Sequence, residues 1–174
     1  NLIIGIDTLH IIENVGREIV NLVFSHCKPK EIGESMLRTI PSVSINWVEG
    51  KASICNVTCA NIRDMFTMHQ AIFIDGVWKS SVNTEYKNLL LNVMQSFRDI
   101  ICLLYSGAIH KSPKLSLAIY IYTWQFDHYC HLAFLVEDNG ALYSLPYHQL
   151  IHHLPKLSRH FFLIDLTTES FEAM

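Results

Sequence analysis

Glycine and proline are scarce, 7 and 5 among 174 residues, and no repeat or low-complexity tract appears, so the chain is not built from flexible linkers. Positive charge is also short: 13 Lys and Arg against 16 Asp and Glu give a net charge of −3. A protein that holds nucleic acid by wholesale phosphate neutralisation needs the opposite balance, so no direct, sequence-specific nucleic-acid partner is expected. No apolar run reaches the roughly 18 residues that a membrane-spanning helix requires, and no signal peptide or lipidation motif is visible. The chain opens on Asn1, which leaves its natural start open. Phosphate loops of the G-x-G-x-x-G or G-x-x-x-x-G-K-[ST] type are missing, and no cofactor is expected.

The 5 cysteines, Cys27, Cys55, Cys59, Cys102 and Cys130, are odd in number and scattered through apolar stretches. That pattern fits reduced core thiols in a cytosolic folding environment better than a disulfide framework. "NVT" at 56–58 matches a glycosylation acceptor, a pattern short enough to arise by chance. What is abundant is apolar surface, at 50% of residues, with 11% aromatic and 17% charged. One compact globular domain over residues 1–174 follows, because two would leave each with a small core.

Residues 8–25 place Leu9, Ile12, Val15, Ile19, Val20 and Val23 at helical spacing, with Asp7 or Thr8 as cap and Gly16 as a weak point. "SVSINWV" and "KASICNV" alternate about Glu49-Gly50 and predict a hairpin. A short helix is expected over "CANIRDMFTMHQA" from a Thr58 cap, and a second hairpin across Asp75-Gly76. Asn83 or Thr84 caps a long helix that runs to Tyr105, with Gly107 as its left-handed stop. "KLSLAIYIYTW" alternates Leu115, Leu117, Ile119 and Ile121 against Ser116, Ala118, Tyr120 and Tyr122, and predicts a central strand. A hairpin at Asn139-Gly140, a helical turn ended by Pro155 and a last strand over "HFFLIDL" complete the pattern. The expected class is α+β, a mainly antiparallel sheet packed against two or three helices.

Two clusters invite a chemical reading. A papain-like cysteine hydrolase needs a Cys at a helix start, where the dipole favours thiolate, and a His at a strand start oriented by a carboxylate. Cys59, His131 and Asp138 could fill those parts, although no oxyanion-hole amide is clearly placed before Cys59. His148 and His152 stand four residues apart, and with His128, Cys130 and His131 could approach a tetrahedral metal set. The Glu of the zinc-hydrolase motif is missing from "HQLIH", so no metal is assigned. Stacking of bases on Tyr120, Tyr122 and Trp124 is weighed as well, but aromatic residues on one strand face fit sheet core better.

The stretch "RDIICLLYSGAIHKSPKLSLAIYIYTWQF", residues 98–126, resembles the central segment of rhabdovirus matrix proteins, and with the upstream strand pair and short helix the likeness spans about residues 40–126. Chains this short are similar to the matrix proteins of plant-infecting members. The resemblance implies a non-enzymatic viral structural protein that self-associates, condenses the nucleocapsid through viral nucleocapsid proteins and bridges it to the inner face of the envelope membrane. It would be found in the virion beneath the envelope and on host cytoplasm and membranes. In such proteins the loop matching Ala108, Ile109, His110, Lys111, Pro113 and Lys114 is exposed and takes part in subunit or membrane contact. The family's Lys-rich tail and Pro-Pro-x-Tyr motif have no counterpart here. Weak attraction to an anionic membrane surface would then rest on Lys28 with Lys30 and on Lys111 with Lys114, at about 1 kcal/mol per basic residue.

Overall fold

The computed structural model describes residues 7–39, 44–48, 51–55, 59–67, 75–105, 112–136 and 143–158. Helix α1 spans Thr8–Ser25 and α2 spans Pro29–Thr39. Strands β1 (Ser44–Val48) and β2 (Lys51–Cys55) pair antiparallel with Val48 opposite Lys51, which is the hairpin expected about Glu49-Gly50. Helix α3 follows over Cys59–Thr67, α4 over Thr84–Leu104 and α5 over Pro113–Val136. The last described unit winds from α6 (Leu145–His148) through a π-helical turn (Gln149–His153) into α7 (Leu154–Leu157).

The class is therefore helical, which corrects the α+β expectation: among the described residues the hairpin β1–β2 forms the whole of the sheet. The largest correction is at 114–124, where the predicted central strand is the first half of α5. Nearly every residue there is apolar, so alternation can be read into it at will. Its buried positions are Ser116, Ile119, Thr123, Phe126, Cys130 and Ala133, a spacing of three and four that only a helix puts on one face. Pro113 suits the first helical position, since its missing N–H would have no intrahelical partner there. Where a second hairpin is expected to turn, Asp75–Val77 is a 3₁₀ turn and Trp78 makes an isolated bridge with Cys27, while the first arm, 72–74, lies outside the described residues.

Pro155 does not end the final helical unit, which continues to Leu157. A proline removes one N–H and crowds the carbonyl four residues back. The π turn just before it, closed by Leu154 N–H on Gln149 O, widens the backbone where that crowding falls. The first half of the expected Asn139-Gly140 hairpin is helix α5 as far as Val136. The turn itself, Gly107 and the strand over "HFFLIDL" lie outside the described residues.

Helix α1 falls within the expected bounds, and Ile12, Val15, Ile19, Val20 and Val23 are buried. Gly16 is not a weak point but a contact: a Cβ there would collide with the Ile62 side chain of α3 and lie 3.2 Å from Phe97 of α4. The α4 cap also holds, with the Asn83 side chain accepting from the Tyr86 N–H at 2.7 Å. A line of rings ties the layers together: Phe66 of α3 meets Phe97 of α4 at 4.7 Å between centroids, Phe97 meets Phe126 of α5 at 5.4 Å, and Phe126 meets Tyr147 of α6 at 5.8 Å. Helix α5 packs on α4 by one face, and α7 and the π turn lean on it. Its other side is left to solvent.

Candidate interaction surface

Because α5 carries apolar residues on both sides, burying one face on α4 strands those on the opposite one. Leu117, Ile121, Trp124 and Leu132 remain 58%, 50%, 67% and 36% exposed, and exposed His128 lies among them. Steps of four, three, four and four keep all five within one stripe along the helix. The Trp124 and His128 rings stack, 5.7 Å apart and 6° from parallel. Single exposed apolar residues are ordinary, whereas an aligned stripe centred on a tryptophan is a candidate contact surface.

On the flank of this stripe a groove of about 640 Å³ opens between α5 and the π turn. Tyr120, Ile121, Thr123, Trp124 and Asp127 of α5 face Ile151 and His152 across it. The Thr123 hydroxyl donates to Ile119 O at 2.8 Å and is committed to the backbone. Asp127 receives the Tyr147 hydroxyl on Oδ1, and His131 Nδ1 lies 3.3 Å from that same oxygen. Behind this carboxylate Cys130 is buried, and burial pushes its thiol well above the ordinary range, with the Tyr147 hydrogen bond opposing and the Asp127 charge reinforcing the shift. Burial likewise raises Tyr147, and raises Tyr143 to about 12 with help from the charges on Cys130 and Asp127. With their values raised these groups stay protonated and neutral at physiological pH, and Tyr147 contacts the carboxylate directly.

The residues singled out from sequence are distributed differently. Cys59 is the first residue of α3, the helix start that a thiolate would need. His131, however, is in the C-terminal half of α5 and not at a strand start, and its ring nitrogen meets Asp127 O at 2.8 Å. Asp138 lies outside the described residues, as do Ala108, Ile109, His110 and Lys111. Pro113 and Lys114 are exposed in the first turn of α5. Lys28 and Lys30 are both exposed at the start of α2. On a strand His128 and Cys130 would share a side; on α5 they diverge, His128 to solvent and Cys130 to the core. His148, His152 and His153 do gather, with the first ring 4.7 Å and 5.2 Å from the other two. Among the described residues no three or more His, Cys, Asp or Glu side chains are grouped to hold a metal ion.

The exposed stripe and Asp127 were missed by sequence reasoning because both depend on reading 113–136 as a helix. The signal was present in its length, since 24 residues without an internal Gly or Pro exceed any ordinary strand. Among the described residues no helix is long and apolar enough to cross a membrane. Comparison with family models, with curated proteins and with solved structures finds no match.

Proposed function

We propose that this chain is a non-enzymatic structural protein that works by self-association, with the exposed face of α5 as its contact surface. The observation that carries the reading is the stripe Leu117, Ile121, Trp124, His128 and Leu132, an unpartnered apolar face on an otherwise packed helix. A second copy suits it because the stripe is close to a palindrome: Leu117 and Leu132 stand at equal distances either side of its centre, as do Ile121 and His128. Two such helices laid antiparallel present the same residues to each other, as a twofold interface requires.

Four exposed apolar side chains offer on the order of 400–500 Å² per copy, so a pair approaches the lower bound of about 1,000 Å² for a specific interface. Such an interface is weak alone and suits multivalent assembly.

In its wider form the proposal follows the resemblance to rhabdovirus matrix proteins: a layer that condenses viral nucleocapsid proteins and bridges them to the envelope membrane, in the virion and on host cytoplasm and membranes. Exposed Lys28, Lys30 and Lys114 support weak, salt-sensitive attraction to anionic lipid. The cysteine hydrolase alternative retains Cys59 at a helix start but has His131 turned to Asp127 on a solvent-facing stretch of α5. Sedimentation of the purified protein with and without anionic liposomes tests the wider form. Salt-sensitive oligomers that pellet with the vesicles are the expected result; a protein that stays in the supernatant at low salt contradicts membrane bridging.

A further inference from the structure

The groove beside the stripe has a composition that self-association does not call for. Two aromatic rings, Tyr120 and Trp124, and two isoleucines line it, and Asp127 is its acidic group. No Lys or Arg is among the lining residues. Asp127 is held in place from behind: the Tyr147 hydroxyl donates to Oδ1, and His131 approaches that same atom at 3.3 Å. Among the described residues both of these contacts fall on Oδ1, and the Asp127 side chain lines the groove.

We propose that this groove binds a primary alkylammonium ion, with its N–H donors on the Asp127 carboxylate, its cationic end against Trp124 and Tyr120, and its apolar chain against Ile121 and Ile151. A charge-assisted bond to a carboxylate is about twice as strong as a neutral one, and an aromatic face adds attraction for a cation that it does not offer an alcohol. Anions are repelled by the same carboxylate. The volume of about 640 Å³ lies within the range of small-molecule sites and exceeds what a bare ammonium needs, so the chain contributes to binding as well as the charge. This inference goes beyond the self-association reading, because a monomer carries the whole groove.

The test is titration of dilute, monomeric protein with n-hexylammonium, followed by two-dimensional amide NMR, with n-hexanol, hexanoate and methylammonium as parallel probes. The titration is run at about pH 8, where the amine remains charged. Hexylammonium is expected to shift amides of α5 and the π turn and to bind about tenfold or more tightly than hexanol, methylammonium or hexanoate. Asp127→Asn keeps an oxygen for the Tyr147 hydroxyl and so should keep the fold, while reducing hexylammonium to the affinity of hexanol. Trp124→Leu should weaken the ammonium more than the alcohol. Equal binding of hexanol and hexylammonium, an unchanged affinity in a folded Asp127→Asn protein, or no binding at all overturns the proposal. A monomer that binds hexylammonium but never self-associates would uphold this site while removing the assembly reading.

Discussion

Trp124 and His128 stack one helical turn apart on the solvent side of α5, at the centre of a stripe whose opposite face holds Ile119, Phe126 and Cys130 in the core. Both faces of this helix are apolar, and only one is used within the chain. A side chain already in water can be changed at little cost to folding, so Ile121→Asp should shift stability by no more than about 0.5 kcal/mol. Urea denaturation monitored by circular dichroism checks this, and a cost of several kcal/mol would mean that Ile121 is covered in the monomer.

Gly16 makes the opposite prediction. The methyl of Gly16→Ala has no room beside Ile62, Phe66 and Phe97, which are buried and cannot withdraw. Helix propensity favours alanine by about 1 kcal/mol, yet overpacking of this kind costs about 1–3 kcal/mol. The expected outcome is a net loss of stability in chemical denaturation, and a gain would show that α1 can move away from α3.

Removal of the Tyr147 hydroxyl should be felt at Asp127. Tyr147→Phe keeps the ring against Phe126 and Tyr143 but leaves Asp127 Oδ1 with only the longer 3.3 Å approach of His131 Nδ1. A loss of about 1–3 kcal/mol is expected for a partly buried charged acceptor. A thermal melt indistinguishable from wild type would show that water replaces the hydroxyl freely.

Thiol reactivity should separate the cysteines. Cys102 is exposed, whereas Cys27 and Cys130 are buried, and burial pushes the Cys27 thiol up to about 12 against a smaller opposing effect of Lys79. Under native conditions a maleimide should modify Cys102 and spare Cys27 and Cys130, as peptide mass spectrometry would show. Rapid modification of Cys130 would place the α4–α5 packing in error.

The same burial sets a direction for stability against pH. Cys27 and Tyr143 both have folded-state values raised to about 12 from ordinary values of 9.0 and 10.0. The unfolded chain therefore loses these protons first as pH rises. Their contribution is complete below about pH 9 and declines between there and about pH 12. Denaturation midpoints measured across that window should fall steadily, and a flat profile would indicate that neither group is shielded.

How far the sequence could be read follows from these elements. Helix α1 was legible because polar residues such as Glu13, Asn14 and Arg17 interrupt its apolar positions, and α4 because Asn83 and Glu85 mark its start. The β1–β2 hairpin was legible from its alternation about Glu49-Gly50. Helix α5 was not, since apolar residues lie on both of its sides and its few polar residues, Ser116 and Thr123 in the core among them, do not mark a solvent face. Every site prediction that depended on a strand there changed with it: His131 lost its strand start, and His128 separated from Cys130. The groove could not be foreseen either, because His152 and Ile151 are brought to Asp127 by a π turn that composition does not announce.

The most direct test of self-association through α5 is sedimentation velocity over a wide concentration range for the wild type and for a Trp124→Glu variant. The expected result is reversible growth of the wild-type species with concentration and a variant that remains monomeric with an unchanged circular dichroism spectrum. A wild type that sediments as a monomer at every concentration, or a variant that assembles equally well, would contradict the assignment of this face.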